Sequence, residues 1–410
     1  MAAIFRSLKV PGYRVYFFGA LVSNVGSWMD RIAQDWLVLA ILTDNNAFAV
    51  GITMGLQFTP ALVLSPLAGT VADRFDRKTV LLITQTLIAL FSLVLGVVTL
   101  LGAANLPLVF AFAFLSGVVS AFDAPARQAV IGELVPSSLL SNAVNLNSSS
   151  FNAARMVGPA VAGLLIALIG PGWVFLINAA MSVAVIMVLV GLIRTARTAG
   201  TKRTGARSAD VRGGLRYLQT RPDILVIFAM VFVVGALGLN FPVYIAAMAR
   251  IEFGAGSAAY GLMSSMIALG SLAGGLTSAR RDRPRLRVIT VAAACFGLSL
   301  ALAAVMPNMV LFGAALIPAG FFSLTMLTSA NAYVQTTTPS ALRGRVISFY
   351  MAILMGGSPI GSPLIGYVAE AANPRVSMLL GVTAGLAAAG IAASWYLIDR
   401  HRRRLAAGPA

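Results

Sequence analysis

The chain has 410 residues, of which 59% are hydrophobic and 10% are charged, and this balance excludes an ordinary soluble domain. Its formal net charge of +17 would suit a nucleic-acid-binding protein unless the placement of the charges explains it otherwise. The single cysteine, Cys295, lies in an apolar run, and the single histidine, His401, lies in a basic tail. We therefore expect no intrachain disulfide, no His/Cys metal site, no cofactor and no enzymatic activity.

Apolar runs of about 20 residues recur along the chain and predict an all-α membrane protein with twelve transmembrane helices. The predicted helices lie at 13–42, 47–71, 79–102, 106–125, 140–168, 173–193, 223–248, 257–279, 286–306, 308–334, 344–370 and 376–398. No small-residue cleavage pattern follows a short apolar region near the start of the chain, so the first helix is expected to be retained.

The first predicted helix is polar along one side. At 100° per residue, its polar side chains fall in one arc of about 140°, and Asp30, Arg31 and Asp35 lie within that arc. A charge that faces lipid at the bilayer centre costs roughly 2.5 to 3.5 kcal/mol, so three of them would be prohibitive there. This face must therefore point into the protein or toward a water-filled path.

Basic residues concentrate on one side of the membrane when both termini are placed in the cytoplasm. Arg250 and Arg375 are the basic residues assigned to the opposite side. This is the positive-inside bias, and it explains the net charge without any nucleic acid. The sequence predicts a multi-pass protein of the cytoplasmic (inner) membrane with both termini cytoplasmic, whose basic loops also suit contact with anionic membrane lipids.

A polar segment divides the predicted helices six and six. Residues 194–222 are rich in Arg, Lys, Thr, Gly and Ser, which predicts a cytoplasmic linker between bundles at 1–193 and 223–410. A shift of 203 residues aligns the fifth predicted helix with the eleventh, matching Gly158 with Gly361 and Gly163 with Gly366. Repeats of even helix number in the same orientation predict two bundles related by an axis along the membrane normal.

The loop between the second and third predicted helices resembles the cytoplasmic signature G-x-x-x-D-R-x-G-R-R/K of the major facilitator superfamily. The matching residues are Gly69, Asp73, Arg74, Arg77 and Lys78. Asp76 replaces the second glycine, and we expect Asp to keep the left-handed turn. The resemblance implies that Asp73 sits against the start of the eleventh helix. It also implies that Arg77 pairs with an acid at the inner end of the fourth helix, where Asp123 lies. The alternative is a basic turn that only obeys the positive-inside rule.

The fifth predicted helix carries small residues next to a buried charge. Arg155 is followed by Gly158, Pro159 and Gly163, and this run resembles the G-P-x-x-G-G element of proton-driven drug antiporters in the same superfamily. Ala154 and Ala162 stand where that element has glycines. Close helix packing explains the small residues equally well, and it also applies to Gly361 and Gly366 in the second half.

Further stretches are similar to the branch of the superfamily that includes the enterobactin exporter and related drug efflux proteins. They are Gly26 to Arg31, Trp36 to Val38, Phe122 to Arg127, Glu133 to Pro136, Asn142 to Asn152, Leu342 to Arg345 and Pro359 to Gly361. This resemblance covers nearly the whole chain. It implies the major facilitator fold, with twelve transmembrane helices in two six-helix bundles.

Two interpretations of the charged cluster stay open. In the first, Arg31 pairs with Asp35 and Asp30 pairs with Arg155, and both ion pairs are permanent. In the second, Asp30 faces the central path and takes up and releases a proton as the protein changes conformation. Asp35 is the weaker candidate for the proton because Arg31 lies four residues before it on the same helix.

Scattered polar residues mark the expected substrate path. They lie among apolar side chains, as in cavities that bind amphipathic organic molecules, although each taken singly is also a common helix-packing contact. The candidates are Asn24, Gln34, Asn152, Asn240, Tyr244, Thr328 and Asn331.

These features predict a monomeric secondary active transporter that works by alternating access. Its partners would be protons and a small molecule such as a drug or siderophore, which it exports. A lipid or lysolipid transporter on the same fold is the alternative, and it would depend little on a pH gradient. A membrane sensor that binds a ligand without moving it is the rival from another class.

Overall fold

The computed structural model describes residues 5–195, 216–279 and 285–406, and the regular elements in this part are helices. Most of the predicted linker at 194–222 lies outside the described residues. The first half contains α1 (Pro11–Trp36), α2 (Ala47–Arg74), α3 (Arg77–Leu100), α4 (Leu106–Leu134), α5 (Leu140–Ile169) and α6 (Pro171–Thr195). The second half contains α7 (Pro222–Val233), α8 (Phe241–Ala247), α9 (Ser257–Ala279), α10 (Leu286–Ala304), α11 (Met309–Thr337), α12 (Ser340–Gly356), α13 (Ser358–Ala371) and α14 (Pro374–Ala406).

Asparagine side chains begin several of these helices. Asn46, Asn105 and Asn308 each accept a hydrogen bond from the backbone N–H three residues later. An asparagine cap satisfies one of the free N–H groups at a helix start, and such caps contribute about 1 kcal/mol each. Short polar turns therefore fix where α2, α4 and α11 begin.

Eleven helical segments in the described residues are long and apolar enough to cross a membrane. The prediction of an all-α membrane protein is confirmed, while the count of twelve spans and the two six-helix bundles stay predictions. Helix α1 is not among the eleven. It has 26 residues, about 39 Å at 1.5 Å per residue, but charged residues interrupt its apolar sequence.

Several helices differ from their predicted bounds. Helix α14 runs past the predicted end at 398 to Ala406, and a π-helical turn at Leu37–Leu42 replaces the end of the first predicted helix. Helix α4 continues through Pro125 to Leu134 instead of ending at 125, since membrane helices tolerate an internal proline. The seventh predicted helix is divided by a π-helical turn at Val234–Gly238, which comes before Asn240. The eleventh is divided at Gly357 into α12 and α13.

The chain forms two compact units. Unit 1 contains Met1–Arg207 together with Ala249–Ser265, and unit 2 contains Ser208–Met248 together with Met266–Ala410. The start of α9 therefore belongs to unit 1, although it comes from the second half of the sequence. This assignment matters for the site because it places Tyr260 and Ser257 in the same unit as α1 and α5.

In unit 1, α1 packs against α5 and α6, α3 packs against α6, and α2 packs against α4. Aromatic residues at the start of α1 anchor an apolar core, where Tyr13 donates a hydrogen bond to the carbonyl of Ala143 at 2.8 Å. The polar face of α1 thus lies among helices of its own unit, as its sequence requires.

Gly117 allows α2 and α4 to pack backbone to backbone. A Cβ at this position would collide with the carbonyl oxygen of Gln57 and would lie 3.1 Å from Cδ of Pro60. We expect Gly117→Ala to lower the free energy of unfolding by about 1 to 3 kcal/mol, because overpacking of this size shifts the backbone. Thermal unfolding in detergent measures the effect.

Gly132→Ala is the matched control on the same helix. The nearest atom to its new Cβ would be Cδ1 of Leu140 at 3.9 Å, which is ordinary contact. Equal melting temperatures for the two variants would show that the close α2–α4 approach does not limit stability.

In unit 2, α10 packs against both α11 and α14. Before α7, the guanidinium of Arg221 binds Asp223 through two hydrogen bonds of 2.9 and 2.7 Å and also donates to the carbonyl of Thr337. The hydrogen bonds to Asp223 raise the pKa of Arg221 above its ordinary value, so this arginine stays charged. It ties the start of α7 to the end of α11.

Candidate functional site

Asp30 lies at the meeting point of three helices. Its Oδ1 accepts hydrogen bonds from Oγ of Ser92 on α3 at 2.9 Å and from Nδ2 of Asn178 on α6 at 3.1 Å. Asn178 also donates to Oγ of Ser92 at 2.8 Å, which orients the two partners. The hydrogen bonds to this carboxylate therefore come from neutral donors and not from an arginine.

Arg31 and Arg155 both lie against the indole ring of Trp28. Their Cζ atoms are 5.2 and 5.6 Å from the ring centroid, within the range of cation–π attraction. Cζ of Arg31 is also 5.6 Å from the ring of Phe58. Helices α1 and α5 thus bring two positive charges to one aromatic side chain.

Asp35 is 4% exposed and accepts a hydrogen bond from the hydroxyl of Tyr260 at 2.9 Å. The ring of Tyr260 stacks on Trp36 with 6.2 Å between centroids, and Arg250 lies over the ring of Trp36. Arg250 also donates to Oδ1 of Asn45 at 2.7 Å. These contacts join the end of α1 to the segment that begins α9.

The charged residues of α1 and α5 do not form the ion pairs of the static interpretation. Ion pairs found in the described residues include those of Arg77 with Glu133, Arg127 with Asp123 and Arg221 with Asp223. In that part of the chain, neither the Arg31–Asp35 pair nor the Asp30–Arg155 pair comes within 4.0 Å. The reason is geometric, because both carboxylates point to neutral donors while both guanidiniums lie on Trp28.

The expected pair between Arg77 and Asp123 does not form in the described structure. Arg77 contacts Glu133 instead, with 3.1 Å between Nη1 and Oε1. Asp123 lies ten residues earlier on α4, about 15 Å along the helix axis, and is too far from the loop.

The turn before α3 also differs from the expectation. Asp76 has φ of −64° and is not left-handed, and its Oδ2 accepts from the backbone N–H and hydroxyl of Thr79. It therefore acts as the N-cap of α3. Arg74 and Lys78 flank it, and Gly69 lies within α2, whereas the side chain of Asp73 lies outside the described part of the chain.

Asp123 is the centre of a buried network. It accepts hydrogen bonds of 2.8 Å from the hydroxyl of Thr84 and from Nε2 of Gln85, and it pairs with Arg127 one turn later on α4. Gln85 in turn accepts from Ser23 of α1 at 2.9 Å. The network links three helices of unit 1 through one carboxylate.

Most substrate-path candidates bond to residues close to them in sequence, within the same membrane segment. Asn152 donates to the carbonyl of Ser148, Asn240 to that of Ala236, Tyr244 to that of Leu237 and Thr328 to that of Leu324, while Asn331 accepts from Gln335. Gln34 is different, since it accepts a short hydrogen bond from Gln57 of α2. Nδ2 of Asn24 is buried and has no hydrogen-bond partner.

The small residues of the predicted packing motif lie at close helix contacts. A Cβ on Gly158 would lie 2.7 Å from Cβ of Trp28, and one on Gly163 would lie 2.9 Å from Cα of Gly261. In unit 2, a Cβ on Gly361 would collide with the carbonyl of Ala236. Pro159 and Gly366 are buried.

Residues 2–403 match the sequence model of the family described as transmembrane secretion effector. The chain belongs to this family of the major facilitator superfamily. Membership makes the protein a membrane transporter rather than an enzyme.

Several characterised relatives align with this transporter over most of their own length. The staphyloferrin A transporter of Staphylococcus aureus is 26% identical over 360 residues, which are 87% of this chain and 89% of the relative. The multidrug efflux pump Tap of Mycolicibacterium fortuitum is 26% identical over 88% of this chain and 90% of its own. An enterobactin exporter of Shigella boydii is 24% identical over 90% and 87%. The protein is thus related to siderophore and drug exporters.

Solved structures support the fold. A bacterial homologue of the iron transporter ferroportin, in an inward-facing state, superposes with a TM-score of 0.71 at 16% identity, covering 94% of this chain and 98% of that one. A bacterial homologue of the lysosomal transporter Spinster gives 0.71 at 14% identity, covering 93% and 96%.

Sequence reasoning found the polar and charged residues of α1 but missed their partners. Ser92, Asn178, Gln57 and Tyr260 come from four other elements and carry no motif. A polar residue near the middle of an apolar helix is the one signal that could have found Ser92 and Asn178.

Proposed function

We propose that this protein exports a small amphipathic organic compound by alternating access and couples the export to protons through Asp30. Twelve transmembrane helices in two six-helix bundles, cytoplasmic termini, an inner-membrane location and a monomeric state belong to this proposal. The observation that carries it is a carboxylate at the polar face of α1 whose contacts are Ser92 and Asn178.

Neutral partners suit a carboxyl group that changes its protonation state. A hydroxyl both donates and accepts, so Ser92 can bond to Asp30 when the carboxyl is ionised and when it carries a proton. An arginine in contact would instead hold the carboxylate in its charged form. Asp30 is therefore free to gain and lose a proton without a buried ion pair breaking.

The proposed class of substrate rests on the relatives and on the aromatic side chains next to Arg31. The relatives named above transport a siderophore or pump drugs, and Arg31, the residue after Asp30, lies against the rings of Trp28 and Phe58. Apolar cavities with few polar groups favour amphipathic organic molecules. No contact in the described residues points specifically to a lipid.

The test uses purified protein in liposomes that enclose buffer of one pH and are diluted into another. Uptake of rhodamine 6G, carboxyfluorescein and a fluorescent lysolipid is followed with gradients of both signs and with no gradient. We expect concentrative uptake of a soluble dye under one gradient and its collapse when a protonophore is added. Movement of the lysolipid alone, at equal rate without a gradient, would replace the proposal with the lipid-transporter alternative.

A further inference from the structure

We propose that Arg31 and Arg155 bind an oxyanion on the transported compound, and that Trp28 contacts the aromatic or apolar body that carries this group. The inference deepens the proposed function, and rests on it, by naming the chemical class of the substrate. Its starting point is that neither guanidinium has a carboxylate within 4.0 Å in the described part of the chain.

Neither Arg31 nor Arg155 has a carboxylate in contact with its guanidinium in the described part of the chain. Asp30 and Asp35 act on Arg31 from beyond contact distance. Oδ1 of Asp30 accepts hydrogen bonds from Ser92 and Asn178, and Oδ2 of Asp35 accepts one from Tyr260. The charged group acting on Arg155 is Arg31, which repels it. Charged residues inside a membrane protein are normally paired, so two neighbouring guanidiniums without a carboxylate in contact favour an anion from elsewhere.

The side chains are accessible and held in place. Arg31 and Arg155 each keep a minor exposed fraction, whereas Asp35 is buried. Trp28 packs edge-on against Phe151 with 5.9 Å between centroids, which fixes the indole between α1 and α5. Gly158 brings the backbone of α5 close to Trp28, and this approach brings Arg155 within reach of the same ring.

Guanidinium groups select a particular ligand chemistry. The planar fork of arginine matches the two oxygens of a carboxylate, and it also suits phosphate and sulfonate groups. The faces of Trp28 and Phe58 favour an apolar or aromatic neighbour. The site thus fits an acidic amphipath and disfavours a cationic one, which two arginines would repel.

A matched set of three ligands tests the charge preference directly. Binding of 2-naphthoate, 2-naphthamide and 2-naphthylmethylammonium to the purified full-length protein in detergent is measured by equilibrium dialysis. We expect the carboxylate to bind at least tenfold more tightly than either analogue. Arg155→Gln and Arg31→Gln should each weaken binding of 2-naphthoate by about tenfold or more and leave 2-naphthamide unchanged.

Three further measurements separate the possible outcomes. Arg155→Lys should bind 2-naphthoate better than Arg155→Gln, because it keeps the charge. Arg14→Gln, an exposed position on the same helix as Arg31, should match the parent protein. Competition with dodecyl phosphate distinguishes a lipid-like source of the oxyanion from a soluble one. Size-exclusion profiles check that each variant folds. Arg155→Gln is expected to fold, because Arg155 has no ion-pair partner in the described residues that the substitution would leave unpaired.

The inference is overturned if the ammonium or the amide binds as tightly as 2-naphthoate, or if Arg155→Gln leaves 2-naphthoate binding unchanged. Failure of the proposed function is separable, since transport under a pH gradient is measured in liposomes on the same preparation. Gradient-driven uptake of carboxyfluorescein, whose carboxylates the site would bind, that Arg155→Gln does not alter would keep the exporter and reject the oxyanion site. Specific naphthoate binding without any gradient-driven transport would keep the oxyanion site and reject the exporter.

Discussion

Asp30→Asn is expected to abolish transport driven by a pH gradient, with a loss of initial rate of at least about an order of magnitude. Asparagine keeps an oxygen that accepts from Ser92 and Asn178, so the hydrogen bonds that join α1, α3 and α6 can persist. What the substitution removes is the site for a proton. Uptake in liposomes with and without a gradient measures the loss.

Asp44→Asn is the matched control for this experiment. Asp44 is exposed and has φ of +50°, a conformation that asparagine tolerates as well as aspartate. Its variant should transport like the parent protein. If Asp30→Asn also keeps its gradient-driven rate while folding normally, Asp30 does not couple transport to protons, and Asp35 becomes the carboxylate to test.

Sequence periodicity predicted which face of α1 is polar, because a helix repeats every 3.6 residues and lipid excludes charge. Periodicity could not predict which residues the charged side chains on that face contact. Arg31 and Asp35 lie four residues apart, the spacing of a helical ion pair, yet Arg31 lies on Trp28 and Asp35 bonds to Tyr260. Tyr260 is 225 residues from Asp35, and a contact of that span depends on tertiary packing.

The loop after α2 shows a second limit of prediction from the sequence. The predicted fourth helix ends at Pro125, which places Asp123 at its inner end, but the helix runs to Leu134. Helix α4 continues for nine residues beyond Pro125, and Glu133 then reaches Arg77. The family resemblance implied an acid on this helix correctly, but the helix end decided which acid it is.

Asp123→Asn is expected to lower the free energy of unfolding by about 3 to 5 kcal/mol, the usual cost of removing one partner from a buried ion pair. The side chains of Asp123 and Arg127 are 12% and 13% exposed, and their closest atoms are 3.0 Å apart. Nη1 of Arg127 already lacks a hydrogen-bond partner, so loss of the carboxylate leaves the guanidinium with no charge to balance it. Unfolding by SDS in mixed micelles measures the change.

The double variant Asp123→Asn/Arg127→Gln distinguishes a structural pair from an acid needed for its own charge. With both charges removed, no unpaired ion remains, and we expect the loss of stability to fall to about 1 kcal/mol for the altered bonds to Thr84 and Gln85. Arg127→Gln alone should be milder than Asp123→Asn, because the remaining carboxylate keeps two neutral donors. If the double variant is as unstable as Asp123→Asn, the hydrogen bonds to α3 and not the ion pair hold α4 in place.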